Sequence, residues 1–284
     1  AQGKAIASTT FLRRFSTTAL TNRPYSLNAA GLIGDFDYPT GSKDRPAILL
    51  LGGSEGGIPS PLQANLLAAQ GYPVLALAYF KEPGLPQELE NIPLEYFARA
   101  LKWLGRQPQV DAKHIAVLGV SRGSEAALLS GAYFTGLVHA VIAMVPSDAA
   151  ICSYPGCQGP AWTLHGHALP YTREFDNPRP TDQPAAVIPV QRIRGPVFLA
   201  CGAEDQTWTS CPYSDAIIAR LDASHDRFPH VLYRYAKAGH DVGTLAPYEP
   251  LAQNNSVDLE ADEQAHEADW PRLLRFLAAF SRSP

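Results

Sequence analysis

Short continuous runs of apolar residues alternate along the chain with stretches in which apolar residues recur at helical spacing. Ala47–Leu51 and Val74–Tyr79 are runs typical of strands buried on both faces of a sheet. Residues 60–70 and Leu94–Leu104 carry apolar side chains every three to four positions, which predicts helices. The pattern continues with predicted strands at Ile115–Val120, Val138–Val145, Val197–Cys201 and Val231–Tyr235 and predicted helices at Glu125–Phe134, Pro212–Ala223 and Pro271–Phe280. This alternation predicts an α/β fold with a mostly parallel central sheet flanked by helices.

Two parts of the chain depart from the alternation. Segments 8–16 and 31–38 are predicted to be strands that form an antiparallel edge within residues 1–38. Between about 147 and 194 the alternation stops in a stretch rich in Pro, Gly, Tyr and Trp, too long for an ordinary connection. We expect a lid-like excursion over a functional site, with a surface loop without a role as the alternative. Residues 1–284 are otherwise predicted to form a single domain.

The composition excludes several classes of protein. Hydrophobic residues make up 46% and charged residues 18% of the chain, an ordinary globular balance. The net charge of -4 gives no basic footprint for nucleic acid, and the apolar runs are too short to span a bilayer. No ligand spacing typical of a metal site is present. We therefore predict no nucleic-acid partner, no membrane anchor, no metal and no cofactor.

The four cysteines fall into two local pairs, Cys152 with Cys157 and Cys201 with Cys211. Short-range pairs suit disulfides in an oxidising compartment, and four independent thiols are the equal alternative. Together with the start at Ala1 instead of Met, the pairs favour a periplasmic or secreted location, with the cytoplasm as the alternative. The sequence leaves the pairing and the oligomeric state open.

The strongest chemical signal is the G-x-S-x-G motif Gly119-Val120-Ser121-Arg122-Gly123. A predicted strand runs into it and a predicted helix leaves it, which is the setting of the nucleophile elbow in the α/β-hydrolase fold. Small neighbours let strand and helix approach, and the start of the helix favours negative charge that develops nearby. Ser121 is therefore the predicted nucleophile, with an incidental serine in a glycine-bearing turn as the alternative.

A serine hydroxyl needs a base, and in this fold the partners follow in the order serine, acid, histidine, each after a later strand. His240 follows the strand Val231–Tyr235 and is the predicted base. Asp205 follows the strand that ends at Cys201 and is the predicted acid, with Glu204 as its rival. The other histidines receive structural interpretations: His114 and His139 at the opposite end of the sheet, His225 and His230 in a connection, His165 and His167 on the surface, and His266 in an exposed acidic segment.

Acyl transfer also needs backbone amides that face the developing oxyanion. One is expected from Arg122, the residue after the nucleophile, and another from the glycine-rich loop after the first buried strand, at Ser54 or Glu55. That loop lacks the lysine of a phosphate-binding loop. The side chains of Arg122 and Glu125 are predicted to form a structural ion pair.

Several longer motifs resemble a known family. They are LLLGGSEGGIP (49–59), VLALAYF (74–80), PLEYFARALKWL (93–104), IAVLGVSRGSE (115–125), PAWT (160–163), the loop 202–208 and Ala238-Gly239-His240. With them the chain resembles the catalytic domain of the acyl-CoA thioesterase and bile acid-CoA:amino acid N-acyltransferase family, in its bacterial single-domain form. The resemblance implies a triad of Ser121, Asp205 and His240, which favours Asp205 over Glu204, and an acyl-CoA substrate.

The identity of the nucleophile separates the activities of that family. Its amino-acid-conjugating members use cysteine, whereas its thioesterases use serine, as at Ser121. We therefore expect hydrolysis of a small-molecule acyl thioester or ester through an acyl-Ser121 intermediate. An exported carboxylic ester or lactone hydrolase, an acyltransferase to an amine or alcohol, and a non-catalytic binding protein are the alternatives.

Substrate contacts are expected from the excursion. Tyr154, Trp162 and Tyr171 could line an acyl pocket, with a packed lid core as the alternative. Binding of coenzyme A would require basic residues near the mouth of the site. Four arginines in or near the excursion are candidates: Arg173, Arg179, Arg192 and Arg194. Arginines exposed to solvent without a binding role are the commoner case and stand as the alternative.

Overall fold

The structure is a computed structural model that describes residues 18–224, 227–244 and 258–282. The predicted strand at 8–16 and His225 lie outside these residues. The described strands are β1 (Leu20–Tyr25), β2 (Ile33–Pro39), β3 (Arg45–Leu51), β4 (Val74–Ala78), β5 (Ile92–Pro93), β6 (Val110–Val120), β7 (Ala140–Met144), β8 (Trp162–Leu164), β9 (His167–Ala168), β10 (Val197–Gly202) and β11 (His230–Tyr235). The described α-helices are α1 (Leu27–Ala30), α2 (Pro61–Ala69), α3 (Leu94–Leu104), α4 (Arg122–Tyr133), α5 (Ser210–Ala223) and α6 (Leu259–Phe280).

Eight strands form one sheet in the order β1-β2-β4-β3-β6-β7-β10-β11. From β4 to β11 neighbouring strands are parallel, and β1 and β2 run antiparallel at one edge. Alternate residues of β3 show why the strand is apolar throughout. Leu49 packs on one face of the sheet in a core that includes α3 and α4, and Ile48 packs on the other face with α2 and α6. The predicted α/β-hydrolase fold, with its mostly parallel sheet, is confirmed.

The excursion between β7 and β10 is packed onto the body of the domain. Its strands β8 and β9 join β5 in a small second sheet, and short 3-10 turns follow at Pro184–Ala186 and Val190–Arg192. Trp162 is its main anchor: the indole is 1% exposed and lies 6.0 Å from Phe97 of α3 and 5.9 Å from Tyr79, measured between ring centroids. Burial of so large a ring fixes this segment on the sheet.

The last helix was predicted with the wrong start. Helix α6 begins at Leu259, and Pro271 lies inside it, whereas the sequence predicted a start at Pro271 because proline is favoured in a first helical turn. The exposed position predicted for His266 is wrong for the same reason. Its side chain lies on the buried face of α6 and is 1% exposed. Among the described residues, no helix combines the length and the apolar character needed to cross a bilayer.

Helix α6 also buries an acidic side chain against β11. The Tyr235 hydroxyl donates a hydrogen bond to Asp269, and Arg272 donates to that hydroxyl over 2.7 Å. Burial raises the pKa of Asp269 from its ordinary 3.8 to about 7. At pH values between 3.8 and about 7, the folded chain therefore keeps this proton, whereas the unfolded chain has lost it.

This raised pKa predicts a pH-dependent stability. The contribution of protonated Asp269 is fully present below pH 3.8 and is lost as the pH rises through about 7. We expect Asp269→Asn to remove this pH dependence, because asparagine is neutral at every pH. Between pH 3.8 and about 7, the free energy of unfolding of the wild type should therefore fall relative to that of the variant by up to about 1.4 kcal/mol per pH unit. Urea unfolding at a series of pH values measures it. A difference between the two proteins that stays constant with pH would contradict it.

Candidate active site

A tight turn between β6 and α4 presents Ser121. The residue has a positive φ of 53° and is 8% exposed. The turn requires the two glycines of the motif. A Cβ on Gly119 would lie 2.0 Å from the carbonyl oxygen of Gly123, and a Cβ on Gly123 would lie 2.3 Å from the carbonyl oxygen of Gly52. The strand and helix therefore approach closely enough to hold the serine side chain at the carboxyl edge of the sheet.

The structure brings Ser121, His240 and Asp205 into one chain of hydrogen bonds. The Nε2 atom of His240 lies 2.9 Å from the Oγ atom of Ser121. The Nδ1 atom of His240 lies 2.9 and 3.0 Å from the two carboxylate oxygens of Asp205. A base that contacts the hydroxyl and is oriented by a carboxylate is the arrangement that activates a serine for attack.

The loop after β10 buries the carboxylate of Asp205 and directs it to the imidazole. The Asp205 side chain is 1% exposed, and its Oδ1 atom accepts hydrogen bonds from the amides of Thr207 and Trp208. The Trp208 ring stands edge-on to the His240 ring, with centroids 5.7 Å apart. Glu204 is exposed and takes no part in this contact. The structure therefore places Asp205, and not Glu204, against His240.

Two side chains of α6 hold the loop that carries His240. The amide of Gly239 donates to the carboxylate of Asp262 over 2.6 Å, and Nε2 of His266 donates to the carbonyl oxygen of Asp241 over 2.6 Å. They fix the backbone on either side of the base. Neither residue was predicted from the sequence, because the predicted helix began only at Pro271. Their four-residue spacing on one helix face is the signal that would have revealed them.

The glycine-rich loop after β3 lies beside the nucleophile. The Glu55 carboxylate accepts the amide of Gly53 over 2.8 Å, Tyr79 donates its hydroxyl to the carbonyl oxygen of Gly52 over 2.7 Å, and the Lys81 ammonium donates to the carbonyl oxygen of Glu55 over 2.9 Å. These contacts fix the loop. In the described part of the chain, none of the amides of Ser54, Glu55 and Arg122 donates a hydrogen bond.

A cavity of about 440 Å³ opens in front of Ser121. The predicted oxyanion residues Ser54 and Glu55 line it, and so does Tyr154, which is 46% exposed. Among the residues that the structure describes, its charged side chains other than His240 are Glu55, Lys81 and Asp241. Trp162 and Tyr171 were predicted to contact substrate, but neither lines this cavity, because both pack in the interface between the excursion and the rest of the domain. None of the four arginines proposed for coenzyme A lines it.

The predicted ion pair between Arg122 and Glu125 is confirmed, with 3.3 Å between Nη1 and Oε2. Arg122 also donates to the carbonyl oxygens of Ile151 and Cys152, and Glu125 accepts from the amide of Ile151 and from the indole N–H of Trp162. Burial raises the pKa of Glu125 to about 7. The pair therefore ties the excursion to α4 directly after the nucleophile.

Both predicted cysteine pairs are disulfides in the structure, Cys152–Cys157 and Cys201–Cys211. The second bond joins β10 to α5 and so closes the loop that carries Asp205. It cross-links residues ten positions apart, a loop length for which chain entropy gives about 2 to 3 kcal/mol of stabilisation.

We expect the double variant Cys201→Ala/Cys211→Ala to unfold with a free energy lower by about 2 to 3 kcal/mol, because its unfolded chain is less constrained. Urea unfolding under non-reducing conditions measures it. The wild type treated with a reducing agent, which breaks the same bond, serves as the control and should also lose stability. If the wild type and the variant were equally stable without reductant, the bond would not be formed in solution.

Comparisons with known proteins agree with the family resemblance of the sequence motifs. Residues 92–279 match the family described as BAAT / Acyl-CoA thioester hydrolase C terminal. Acyl-coenzyme A thioesterase 6 of Mus musculus is 34% identical over 264 residues, which cover 85% of this chain and 61% of that protein. Mitochondrial acyl-coenzyme A thioesterase 2 of Homo sapiens is 26% identical and covers 88% of this chain and 53% of that protein. The chain thus spans between half and two thirds of the length of these relatives.

Solved structures share the fold at low sequence identity. The α/β hydrolase MGS-M1, from a Medee basin deep-sea metagenome library, aligns with a TM-score of 0.63 at 16% identity and covers 94% of this chain and all of its own. A sugar hydrolase of Lactococcus lactis aligns with a TM-score of 0.62 at 20% identity and covers 90% of this chain and all of its own. At such identities the similarity establishes the fold alone.

Proposed function

Because the chain belongs to the BAAT / acyl-CoA thioester hydrolase C-terminal family, we propose that it is a serine hydrolase that cleaves acyl thioesters or esters through an acyl-enzyme on Ser121. The observation that carries the proposal is the hydrogen-bond chain from the Ser121 hydroxyl through His240 to the buried carboxylate of Asp205. A structural role would not require these three side chains, from three distant parts of the sequence, to meet beside a cavity that Ser121 and His240 line.

The proposed reaction has two steps. In the first, His240 Nε2 takes the hydroxyl proton while Ser121 Oγ attacks the acyl carbonyl carbon; collapse of the tetrahedral intermediate breaks the carbon–sulfur or carbon–oxygen bond, and His240 returns the proton to the leaving group. In the second, His240 takes a proton from a water molecule as that water attacks the acyl carbon; collapse of the second tetrahedral intermediate breaks the bond between the acyl carbon and Oγ, and His240 returns the proton to Oγ, which releases the carboxylic acid and the free serine. Asp205 holds the Nδ1–H tautomer and stabilises the imidazolium in both steps.

The negative charge of each tetrahedral intermediate needs donors. We assign this role to the amide of Arg122, at the first position of α4, and to the amide of Ser54 or Glu55 in the loop after β3. Amides already fixed by their surroundings stabilise the oxyanion without reorganisation. The contacts of Tyr79 and Lys81 with this loop hold those amides in place in the absence of substrate.

The names of the relatives make an acyl-CoA thioester the first candidate substrate. An ester without coenzyme A is the second candidate, and two observations favour it. Disulfides are typical of compartments outside the cytosol, and the Ser121 cavity carries two carboxylates, Glu55 and Asp241, beside one lysine, Lys81. Such a balance of charge does not complement the phosphates of coenzyme A.

A matched substrate panel tests the proposal. Acyl-CoAs and p-nitrophenyl esters with the same series of acyl chains are compared by kcat/KM, with Ser121→Ala as the control. A clear preference for the CoA thioesters supports the first candidate, and turnover of the oxygen esters alone supports the second. Turnover that requires an added amine or alcohol would replace hydrolysis by transfer. No turnover of either series under any of these conditions would contradict the proposed function.

A further inference from the structure

A second cavity, of about 470 Å³, lies at the end of the sheet opposite to Ser121. Its walls come from the chain just before β7, β10 and β11, from the first half of β6, and from the end of α6. Six residues of β6 lie between His114, in this cavity, and Ser121, and seven steps of an extended strand span about 23 Å. The cavity is therefore a site of its own, within the size range of small-molecule pockets.

Three cationic side chains surround this cavity: Lys113, Arg194 and Arg227. Within residues 18–224, 227–244 and 258–282, none of them forms an ion pair with a carboxylate. Arg194 donates to the carbonyl oxygen of Gln191, and the guanidinium of Arg227 lies 5.3 Å from the ring centre of Phe228. The nearby carboxylate of Asp111 accepts the amide of Lys113 and contacts His114. The three cations outnumber it, and in a chain with a net charge of -4 this local excess of positive charge favours an anion.

The body of the cavity is aromatic. Phe276 and Phe280 come from α6, and Phe228 precedes β11. The rings of α6 are fixed by edge-on contacts: Phe276 with Phe198, at 5.5 Å between centroids, and Phe280 with His114, also at 5.5 Å. An apolar surface of fixed shape beneath a cationic rim complements a molecule that is apolar at one end and charged at the other.

His139 adds a neutral donor. Its Nδ1 atom accepts the amide of Ile115 over 3.3 Å, so the proton lies on Nε2. Burial and the neighbouring charge of His114 lower the pKa of His139, which keeps the ring neutral near pH 7. In the part of the chain that the structure describes, Nε2 has no hydrogen-bond partner. It is available to the head group of a ligand.

We propose that this cavity binds a small amphipathic anion, whose carboxylate or phosphate head group contacts Lys113, Arg194 and Arg227 and whose aliphatic or aromatic body packs on the phenylalanines. The sequence offered Arg194 as a candidate contact for coenzyme A near the active site. Its position at the opposite end of the sheet gives it this role instead.

Calorimetric titration of the wild-type chain with octanoate, octyl phosphate and octanol tests the proposal. We expect at least one of the two anions to bind about 10-fold or more tightly than the alcohol, because only an anion uses the cations. The tighter of the two identifies the head group. Arg194→Glu is expected to weaken binding of that anion about 10-fold or more and to leave octanol unchanged. Equal binding of all three compounds would overturn the proposal.

Two controls locate the binding. Arg179→Glu reverses the charge of another exposed arginine, outside this cavity, and is expected to leave anion binding unchanged; an equal loss in both variants would mean nonspecific attraction and would overturn the proposal. Histidine ring NMR signals are expected to shift for His139 and not for His240, whereas the reverse would place the ligand at Ser121. If thermal unfolding shows that Arg194→Glu is not folded, Lys113→Glu replaces it.

Discussion

Replacement of Ser121 with alanine is expected to lower kcat on the preferred substrate by roughly 10⁴- to 10⁶-fold. The variant loses the atom that forms the acyl-enzyme, so the remaining rate comes from the oxyanion donors and from binding alone. His240 and Asp205 cannot replace this nucleophile, because they would have to activate a water molecule directly, and His240 is positioned to contact the Ser121 hydroxyl instead. Steady-state kinetics on the preferred ester or thioester measures the loss.

Ser124→Ala is the matched control for Ser121→Ala. Ser124 lies one helical turn further along α4, is fully buried, and donates its hydroxyl to the carbonyl oxygen of Ser121. Its loss removes one structural hydrogen bond, worth about 1 kcal/mol of stability, and leaves the nucleophile in place. We expect this variant to keep most of the activity. Comparable losses in the two variants would show that disturbance of the elbow, and not removal of a nucleophile, explains the result.

The second large effect is expected for Asp205→Asn, with a loss in kcat on the order of 10⁴-fold. An amide at this position can donate a hydrogen bond to Nδ1, which favours the tautomer that carries its proton on Nε2 and cannot accept the serine proton. The Asp205 carboxylate is 1% exposed, so no water replaces its contact with His240 at low cost. Kinetics together with thermal unfolding separates this loss from misfolding.

Glu204→Gln removes the same charge one residue earlier. Glu204 is exposed and its backbone amide donates to the carbonyl oxygen of Ala238, so its side chain carries none of the contacts of Asp205. We expect kcat to stay within about 2-fold of wild type, because a surface charge at this position is screened by solvent. A loss as large as that of Asp205→Asn would contradict the assignment of the acid.

Local patterns were sufficient to predict the body of the sheet and the elbow. The runs at β3, β4 and β10 are apolar because both faces are covered, and that property can be recognised without tertiary information. The elbow at Ser121 can be recognised from its two glycines, because the close approach of strand and helix leaves no room for a Cβ at either position. The position of Asp205 and His240 after successive strands follows from chain order, because parallel strands bring their carboxyl ends to one edge. The motifs that resemble the thioesterase family favoured Asp205 over Glu204.

Features that depend on distant contacts were not predicted. The edge strand β1 has the sequence LTNRPY, whose apolar content is too low to indicate a strand, and it forms because it pairs with β2. Trp162 was predicted to contact substrate, and only the tertiary structure shows that Glu125 and the core of α3 bury it. His266 was predicted to be exposed because the segment around it is acidic, but two of these acidic residues, Asp262 and Asp269, lie with it on the buried face of α6.

Labelling with a fluorophosphonate, followed by peptide mass mapping, tests the central claim most directly, because this reagent reacts with a serine only when a base activates it. We expect a single adduct on Ser121 in the folded chain, protection by the preferred substrate, and loss of labelling in His240→Ala. An adduct on another residue, or no adduct on Ser121 in folded protein, would contradict it.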